Sequence, residues 1–420
     1  MTMRVAVHTL GCKLNYAESS TVAREFARRG YEVVSHTEEA DIYIVNTCSI
    51  TEHSDKKDRN LIRRLHRRSP QALVAVIGCY AQLQGEYIAS MEGVDLVLGA
   101  QDKGRVVDEV ERLLASGRRG RSDAEITDID SVHVVYPAFS TGERTRSFLK
   151  IQDGCDYKCT YCTVPYARGC SRSLPSDMLV AQAEEIAASG IKEIGLTGVN
   201  TGDYGRKTGE SFLELLRRLD AVEGIYRYRI SSIEPNLLKP EIVDWIASGT
   251  KFLPHFHIPL QSGCDAVLRR MGRRYDTDFF RRKIAYIRER MEHVFFGIDV
   301  IVGFPGETDS DFNATCDFLR EIRPAFIHVF PYSRRSGTPA AVMPDQVADL
   351  VKTDRVDMLE RMSSEFYETF CRENSGREEE VLFESKSKGG KMFGYTRNYI
   401  KVEEPFDKDL IGRIVRVTLP

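Results

Sequence analysis

Asp153-Gly154-Cys155-Asp156-Tyr157-Lys158-Cys159-Thr160-Tyr161-Cys162 is the stretch on which the reading of this chain turns. Its three thiols are separated by three residues and then two. Three cysteines can hold three corners of a [4Fe–4S] cube and leave the fourth iron without a protein ligand. Ferredoxin-type clusters take four cysteines, and structural zinc takes four ligands. An iron left open can bind a small molecule and do chemistry on it. The competing readings are a zinc knuckle completed by a distant ligand and three unrelated loop thiols.

Working upstream, residues 1–115 alternate short apolar runs with helical stretches. Strands are expected at Arg4–His8, Asp41–Asn46, Leu73–Ile77 and Leu96–Leu98, and helices at Tyr16–Arg29, Asp55–Arg68 and Arg105–Ala115. This is the βαβ rhythm of a Rossmann- or flavodoxin-like parallel α/β domain, covered on both faces. Cys12, Cys48 and Cys79 then follow the first three strands, at the edge where open α/β sheets place their ligands. They read as a second three-thiol [4Fe–4S] site, against the alternative of three buried thiols near strand ends.

Downstream, residues 116–145 open with Ser116-Gly-Arg-Arg-Gly-Arg121 and read as a linker, with phosphate contact as another use for its arginines. Residues 146–342 carry about six more strand-then-helix units, near Phe148–Gln152, Glu193–Thr197, Arg227–Ser232, His255–Pro259, Gly297–Val302 and Ile327–Phe330. They suggest an open partial (β/α)6 barrel with its site at the carboxyl ends of the strands. A connecting helix (343–375) then leads into 376–420, where four short strands suggest a small β-barrel.

Composition sets the outer bounds. A chain of 420 residues suggests two or three domains and a sizeable core. No run approaches the roughly 18–20 apolar residues of a membrane span. Met1 leads almost directly into the first strand, so no cleavable signal is expected and the cytoplasm is the expected location. Ten cysteines in such a chain read as metal ligands or buried thiols, not a disulfide framework. Cys170, Cys264, Cys316 and Cys371 fall outside both sets and are expected to be buried and inert. Lys plus Arg total 59 against 62 Asp plus Glu, so any nucleic acid would be held by local patches.

The stretch from Asp153 to Tyr166, with Arg168-Gly169, resembles the signature of the radical S-adenosylmethionine (SAM) methylthiotransferases. Thr9–Ser19, Asn46–Thr51 and Ile77–Gln82 resemble their amino-terminal domain, in which the three cysteines bind an auxiliary cluster. Thr197–Gly202, Ser231–Pro235, His257–Gly263 and Gly303–Thr308 resemble their barrel loops, and Phe393–Tyr399 resembles the RNA-binding TRAM domain. The resemblance implies two [4Fe–4S] clusters and SAM chelated by the open iron of the Cys155–Cys159–Cys162 site. One electron, from a flavodoxin- or ferredoxin-type donor, then cleaves SAM to a 5′-deoxyadenosyl radical. It also implies Tyr161 beside the adenine of SAM, with Asn200, Glu234 and Gln261 as candidate polar contacts. The auxiliary cluster would supply the sulfur, so that a methylthio group is added to an unactivated C–H.

Members of this family act on an adenosine beside the anticodon of tRNA or on an aspartate of a ribosomal protein. RNA is favoured here by the helix after Cys48, where Lys56, Arg59, Arg63 and Arg67 share one face at three- and four-residue spacing. Such a stripe can hold the anticodon stem-loop by its phosphates, although a solvated helix surface looks the same. Arg269–Tyr275 and Arg397 in the terminal domain are further candidates. Lys13-Leu14-Asn15 stands where the isopentenyl-adenosine branch usually carries Gln-Met-Asn. The expected substrate is therefore N6-threonylcarbamoyladenosine, whose carboxylate asks for a cation in the pocket. An alternative of another class, a non-catalytic iron–sulfur RNA sensor, would need closed four-ligand clusters.

Overall fold

The structure, a computed structural model, describes residues 2–117, 123–142 and 144–420. Arg118, Arg119 and Arg121 of the expected linker lie outside the described residues.

The first domain runs β1 (Arg4–Thr9), α1 (Lys13–Arg28), β2 (Glu32–Val34), β3 (Ile42–Thr47) and α2 (Glu52–Arg68). It continues with β4 (Leu73–Gly78), α3 (Cys79–Ala89), β5 (Leu96–Leu98), α4 (Val106–Ser116) and β6 (Asp123–Glu125). All six strands are parallel, in the order β2-β1-β3-β4-β5-β6. Every residue of β3 (IYIVNT) and β4 (LVAVIG) is buried, as expected for central strands covered by helices on both faces. Three elements had no clear sequence signal. β2 and β6 are three-residue edge strands, and β6 comes from the stretch read as a linker. α3 follows β4 with no intervening loop, so no turn residues announce it.

The central domain is built on six parallel strands. The first half contains β7 (Arg146–Lys150), the short β8 (Gln152–Asp153), α5 (Val164–Arg168), the short β9 (Arg172–Ser173) and α6 (Ser176–Ala188). β10 (Glu193–Thr197), α7 (Phe212–Asp220), β11 (Arg227–Ile230) and α8 (Pro240–Ala247) complete it. The second half contains β12 (His255–Gln261), α9 (Asp265–Arg270), α10 (Thr277–Arg290), β13 (Phe295–Val302), α11 (Asp309–Ile322) and β14 (Phe326–Pro331). β7, β10 and β11 form one sheet and β12, β13 and β14 the other, and a parallel bridge from Tyr228 to Phe252 joins them between β11 and β12. The result is a barrel left open between β7 and β14. The first domain lies against that opening, where Ala17 of α1 packs with Phe148 of β7 and Tyr16 meets the same ring edge-on at 6.0 Å.

α12 (Asp349–Glu373) leads to β15 (Glu378–Lys388), β16 (Lys391–Thr396), β17 (Lys401–Pro405) and β18 (Ile414–Thr418). They form an antiparallel half-barrel in the order β17-β16-β15-β18. It covers the amino-terminal ends of the barrel strands. Arg227 donates to the carbonyls of Glu380 (2.7 Å) and Tyr395 (3.2 Å), and Arg229 to those of Thr396 (2.8 Å) and Arg397 (3.1 Å). Tyr395 and Tyr399 stack at 4.7 Å, and the guanidinium of Arg146 lies over both rings. Among the described residues no helix is long and apolar enough to cross a membrane.

Candidate active site

Both cysteine sets sit at carboxyl ends of parallel strands. Cys12 caps the start of α1, Cys48 directly follows β3, and Cys79 is the first residue of α3 at the end of β4. Two preceding glycines make this approach possible. Gly11 has φ +102°, and a Cβ there would meet Cys48 Sγ at 2.7 Å. Gly78 has φ +108°, and a Cβ there would meet the Thr47 carbonyl oxygen at 2.6 Å.

Each set offers three thiols, one fewer than the four ligands of a structural zinc or a ferredoxin-type cube. Tetrahedral zinc needs thiolates about 3.8 Å apart, from a Zn–S bond of about 2.3 Å. Among the described residues the one trio of His, Cys, Asp or Glu with ligand atoms all within 4.8 Å is His257, Asp299 and His328, so neither cysteine set is that tight. The sulfurs still perturb one another. Burial, then Cys12 and Cys79, push the Cys48 thiol up, and burial with neighbouring cysteines pushes Cys155 and Cys162 to about 12. A bound cationic centre would favour the thiolate form of these buried thiols.

The expected SAM contacts gather around the second set. Arg273 donates to Cys159 Sγ (3.2 Å), Tyr161 Oη (3.3 Å) and Glu234 Oε2 (2.5 Å). Neither Oδ1 nor Nδ2 of the buried Asn200 side chain has a partner among the described residues, an orphaned amide that a bound polar molecule would satisfy. Gln261, at a bulge in β12, takes φ +69° and lines a cavity with Tyr161 and Cys162.

That cavity, of about 280 Å³, is walled by both domains. Ile50 and Thr51, just past Cys48, face Tyr161, Cys162, Asp299 and Phe330 of the barrel. The two walls are stitched together. Arg335 donates to Ser49 Oγ (2.6 Å) and Asp55 Oδ2 (2.7 Å), and Thr163 donates to the Ser49 carbonyl (3.2 Å). On the far side, buried Arg168 bonds Asp153 beside one cysteine set and Asn15, Glu18 and Cys79 beside the other. Lys103 and Lys150 complete this buried charge network on Glu18 and Asp153.

Beneath the cavity lies the barrel lumen. His257 Nε2 and Asp299 Oδ1 are 2.6 Å apart, and the His257 and His328 ring centroids 4.9 Å apart. Burial and His257 push His328 down to about 4, so it is neutral. Lys13 enters this space from α1, with Nζ 5.9 Å from the centre of the Phe148 ring. Enclosure lowers its pKa, and its charge is felt by Asp299, Tyr399 and His328.

The nucleic-acid candidates divide. Lys56, Arg63 and Arg67 are exposed on α2, whereas Arg59 is half-buried and donates to Tyr80 Oη at 2.8 Å. Arg397 is half-buried, with Nη2 3.5 Å from the Thr250 carbonyl at the junction with the barrel. In the 269–275 loop, Arg273 is buried against Glu234 and Arg270 bonds the Gly306 carbonyl, leaving Arg269 and Arg274 exposed. One expectation is corrected: of the four cysteines outside the two sets only Cys316 is buried, Cys264 and Cys371 are half-buried, and Cys170 is exposed because it lies on the turn after α5 instead of within the packed interior. Sequence reasoning missed Arg168, Arg273 and Lys13 as site residues. All three lie inside quoted motifs, but their partners come from distant segments.

Residues 149–319 match the Radical SAM superfamily, and residues 4–99 match the family described as "Uncharacterized protein family UPF0004". The chain is 39% identical to "Threonylcarbamoyladenosine tRNA methylthiotransferase MtaB" of Bacillus subtilis (strain 168), over 99% of this chain and 93% of that protein. It is 36% identical to "tRNA-2-methylthio-N(6)-dimethylallyladenosine synthase" of Desulfosudis oleivorans, over 92% of this chain and 84% of the relative. Among solved structures, the radical SAM methyltransferase TsrM from Kitasatospora setae, with cobalamin and a [4Fe–4S] cluster bound, superposes with a TM-score of 0.59. It is 17% identical and covers 81% of this chain and 77% of its own, a likeness of fold. With a cavity bordered by Cys162 and by the loop after Cys48, and with full-length relatives of this kind, the chain belongs to the methylthiotransferases of the radical SAM superfamily.

Proposed function

We propose that this enzyme adds a methylthio group to C2 of N6-threonylcarbamoyladenosine next to the anticodon of tRNA. The observation that carries this reading is the cavity walled by the loop after Cys48 on one side and by Tyr161–Cys162 on the other. One carbon held there would lie beside Cys162 and beside the loop that follows Cys48. The MtaB relatives, named for threonylcarbamoyladenosine, support the choice of nucleoside.

In this reading Cys12, Cys48 and Cys79 hold the auxiliary [4Fe–4S] cluster, and Cys155, Cys159 and Cys162 hold the cluster that binds SAM. When bound, these groups supply a carbon-centred radical and the sulfur for transfer. The chain's own residues position and enclose. Tyr161, Asn200, Gln261 and the Arg273–Glu234 pair surround SAM, with Arg273 aligned by Glu234 and Tyr275. Arg168 and Arg335 fix the two walls at one separation, which matters because effective molarity collapses with small misplacements. Exposed Lys56, Arg63 and Arg67 grip the phosphates of the anticodon stem. A flavodoxin- or ferredoxin-type donor supplies electrons, and the setting is the cytoplasm.

The test is mass spectrometry of nucleosides from tRNA of cells with and without the gene. The expected result is loss of 2-methylthio-threonylcarbamoyladenosine with accumulation of its unthiolated precursor. Loss of the methylthio-isopentenyl nucleoside instead would overturn the substrate while leaving the chemistry.

A further inference from the structure

The barrel lumen holds one charge that the protein does not answer. Arg229 donates to Glu193 at 2.8 Å, and Arg146 is paired with Glu384 and lies 3.7 Å from Glu193. The Asp299 carboxylate is taken by His257. The ammonium of Lys13 has no carboxylate within 4.0 Å among the described residues, so it is the unpaired cation of the set. Its surroundings are unusual for a lysine. The side chain retains solvent-exposed surface, yet it interacts with groups from β7, β11, β13, β14 and the terminal half-barrel. A side chain that is exposed and yet faced by groups from several elements is placed to meet a ligand entering the open side of the barrel.

Asp299 lines the cavity beside Cys162 and is also one of the charged groups that act on Lys13. The occupant that fits is anionic. A divalent cation at His257, Asp299 and His328 would face Lys13, Arg146 and Arg229 across a lumen of reduced dielectric. An uncharged apolar substituent would strand the ammonium without a partner, which is costly once water is displaced.

The geometry points to Lys13 as the residue that reads the carboxylate of the threonylcarbamoyl group, drawing that substituent into the barrel lumen while C2 of the purine stays in the cavity above. This inference rests on the substrate reading above and adds to it a residue that sets specificity. Lys13 enters through the open side of the barrel, so the auxiliary-cluster domain itself supplies the discriminating charge. The residue that follows a cluster cysteine thereby couples substrate choice to correct docking of the two domains.

The test is equilibrium binding of the iron-loaded, full-length protein to synthetic anticodon stem-loops. One carries N6-threonylcarbamoyladenosine, and a second carries the same nucleoside with its carboxylate blocked as the methyl ester. The wild-type protein is expected to bind the acid at least about tenfold more tightly than the ester, the worth of one charge-assisted hydrogen bond. Lys13→Met should bind both RNAs with the affinity that the wild type shows for the ester, and Lys13→Arg should keep most of the preference. Iron content and cluster absorbance of the variants are compared with wild type, since Cys12 is adjacent. Equal affinity of the wild type for acid and ester would overturn the inference without recourse to any variant, and so would a Lys13→Met protein that still prefers the acid. A wild-type preference for an isopentenyl-adenosine stem-loop would overturn the substrate reading, and Lys13 with it.

Discussion

Arg168 donates from Nε to the sulfur of Cys79 at 3.2 Å, across the boundary between the two α/β domains. The same guanidinium bonds Asp153 at 2.8 Å and Asn15 at 2.6 Å, so one side chain touches the surroundings of both cysteine sets. Its replacement by Met would leave Glu18 and Asp153 buried with two lysines and remove one of the contacts that join the domains. Loss of one partner from a buried ion network costs about 3–5 kcal/mol. Arg168→Met is expected to lower the unfolding midpoint and cut methylthio transfer more than SAM cleavage. A variant with wild-type midpoint and turnover would refute this role.

Removing one set of thiols should leave the other working. Cys12, Cys48 and Cys79 replaced together by Ala should reduce iron from about eight to about four per chain. SAM cleavage should persist while methylthio transfer disappears. The corresponding Cys155, Cys159 and Cys162 replacement should also leave about four irons but abolish SAM cleavage. Iron assay and product analysis distinguish the two.

Asn200 offers a change whose two effects have opposite signs. Its side-chain amide is buried and unpartnered among the described residues, so Asn200→Ala removes an unsatisfied group from the SAM-free protein. Stability without SAM should not fall, while SAM affinity should fall by about tenfold. Calorimetric titration with SAM measures the second, and thermal unfolding the first.

Acid should loosen the domain contact. Burial alone would raise the Glu18 and Asp153 pKa values, but Arg168, Lys103 and Lys150 outweigh it and hold both carboxylates well below their ordinary range. A depressed folded pKa gives stability that is present above the unfolded value, near 4, and is lost as pH falls toward the folded one. Stability should therefore drop steeply below about pH 4, and a Glu18→Gln, Asp153→Asn protein should lack that portion of the drop. Denaturant midpoints across the acid range, for iron-loaded and iron-free protein, would show it.

The exposed cations of α2 should act through salt-dependent attraction alone. Lys56→Glu, Arg63→Glu and Arg67→Glu combined should flatten the dependence of log affinity for tRNA on log salt by about 2–3, close to one unit per lost phosphate contact. Iron content and RNA-free SAM cleavage should not change. An unaltered salt slope would make this face an ordinary solvated helix.

The strands and the cysteine sets were legible because period, apolar runs and thiol spacing are local signals. Cys12, Cys48 and Cys79 land on one sheet edge because each follows a strand that the sequence already marks. Arg168, Arg273 and Lys13 were not legible as site residues. Whether an arginine bonds a cysteine sulfur or meets solvent depends on segments up to 114 residues away, as with Arg273 and Cys159. Tyr395 and Tyr399 show the same gap. An aromatic block in a terminal β-rich unit suggests a platform for RNA bases, but these rings lie on Arg146 at the barrel floor.

That floor decides the traffic. With the half-barrel seated against Arg227 and Arg229, the strand ends opposite the cysteine loops are capped, which leaves the cysteine-loop side as the approach for RNA in the proposed reaction. An RNA seated over that approach would cover whatever lies beneath it, so small molecules would load before it arrives and its release would gate repeated turnover.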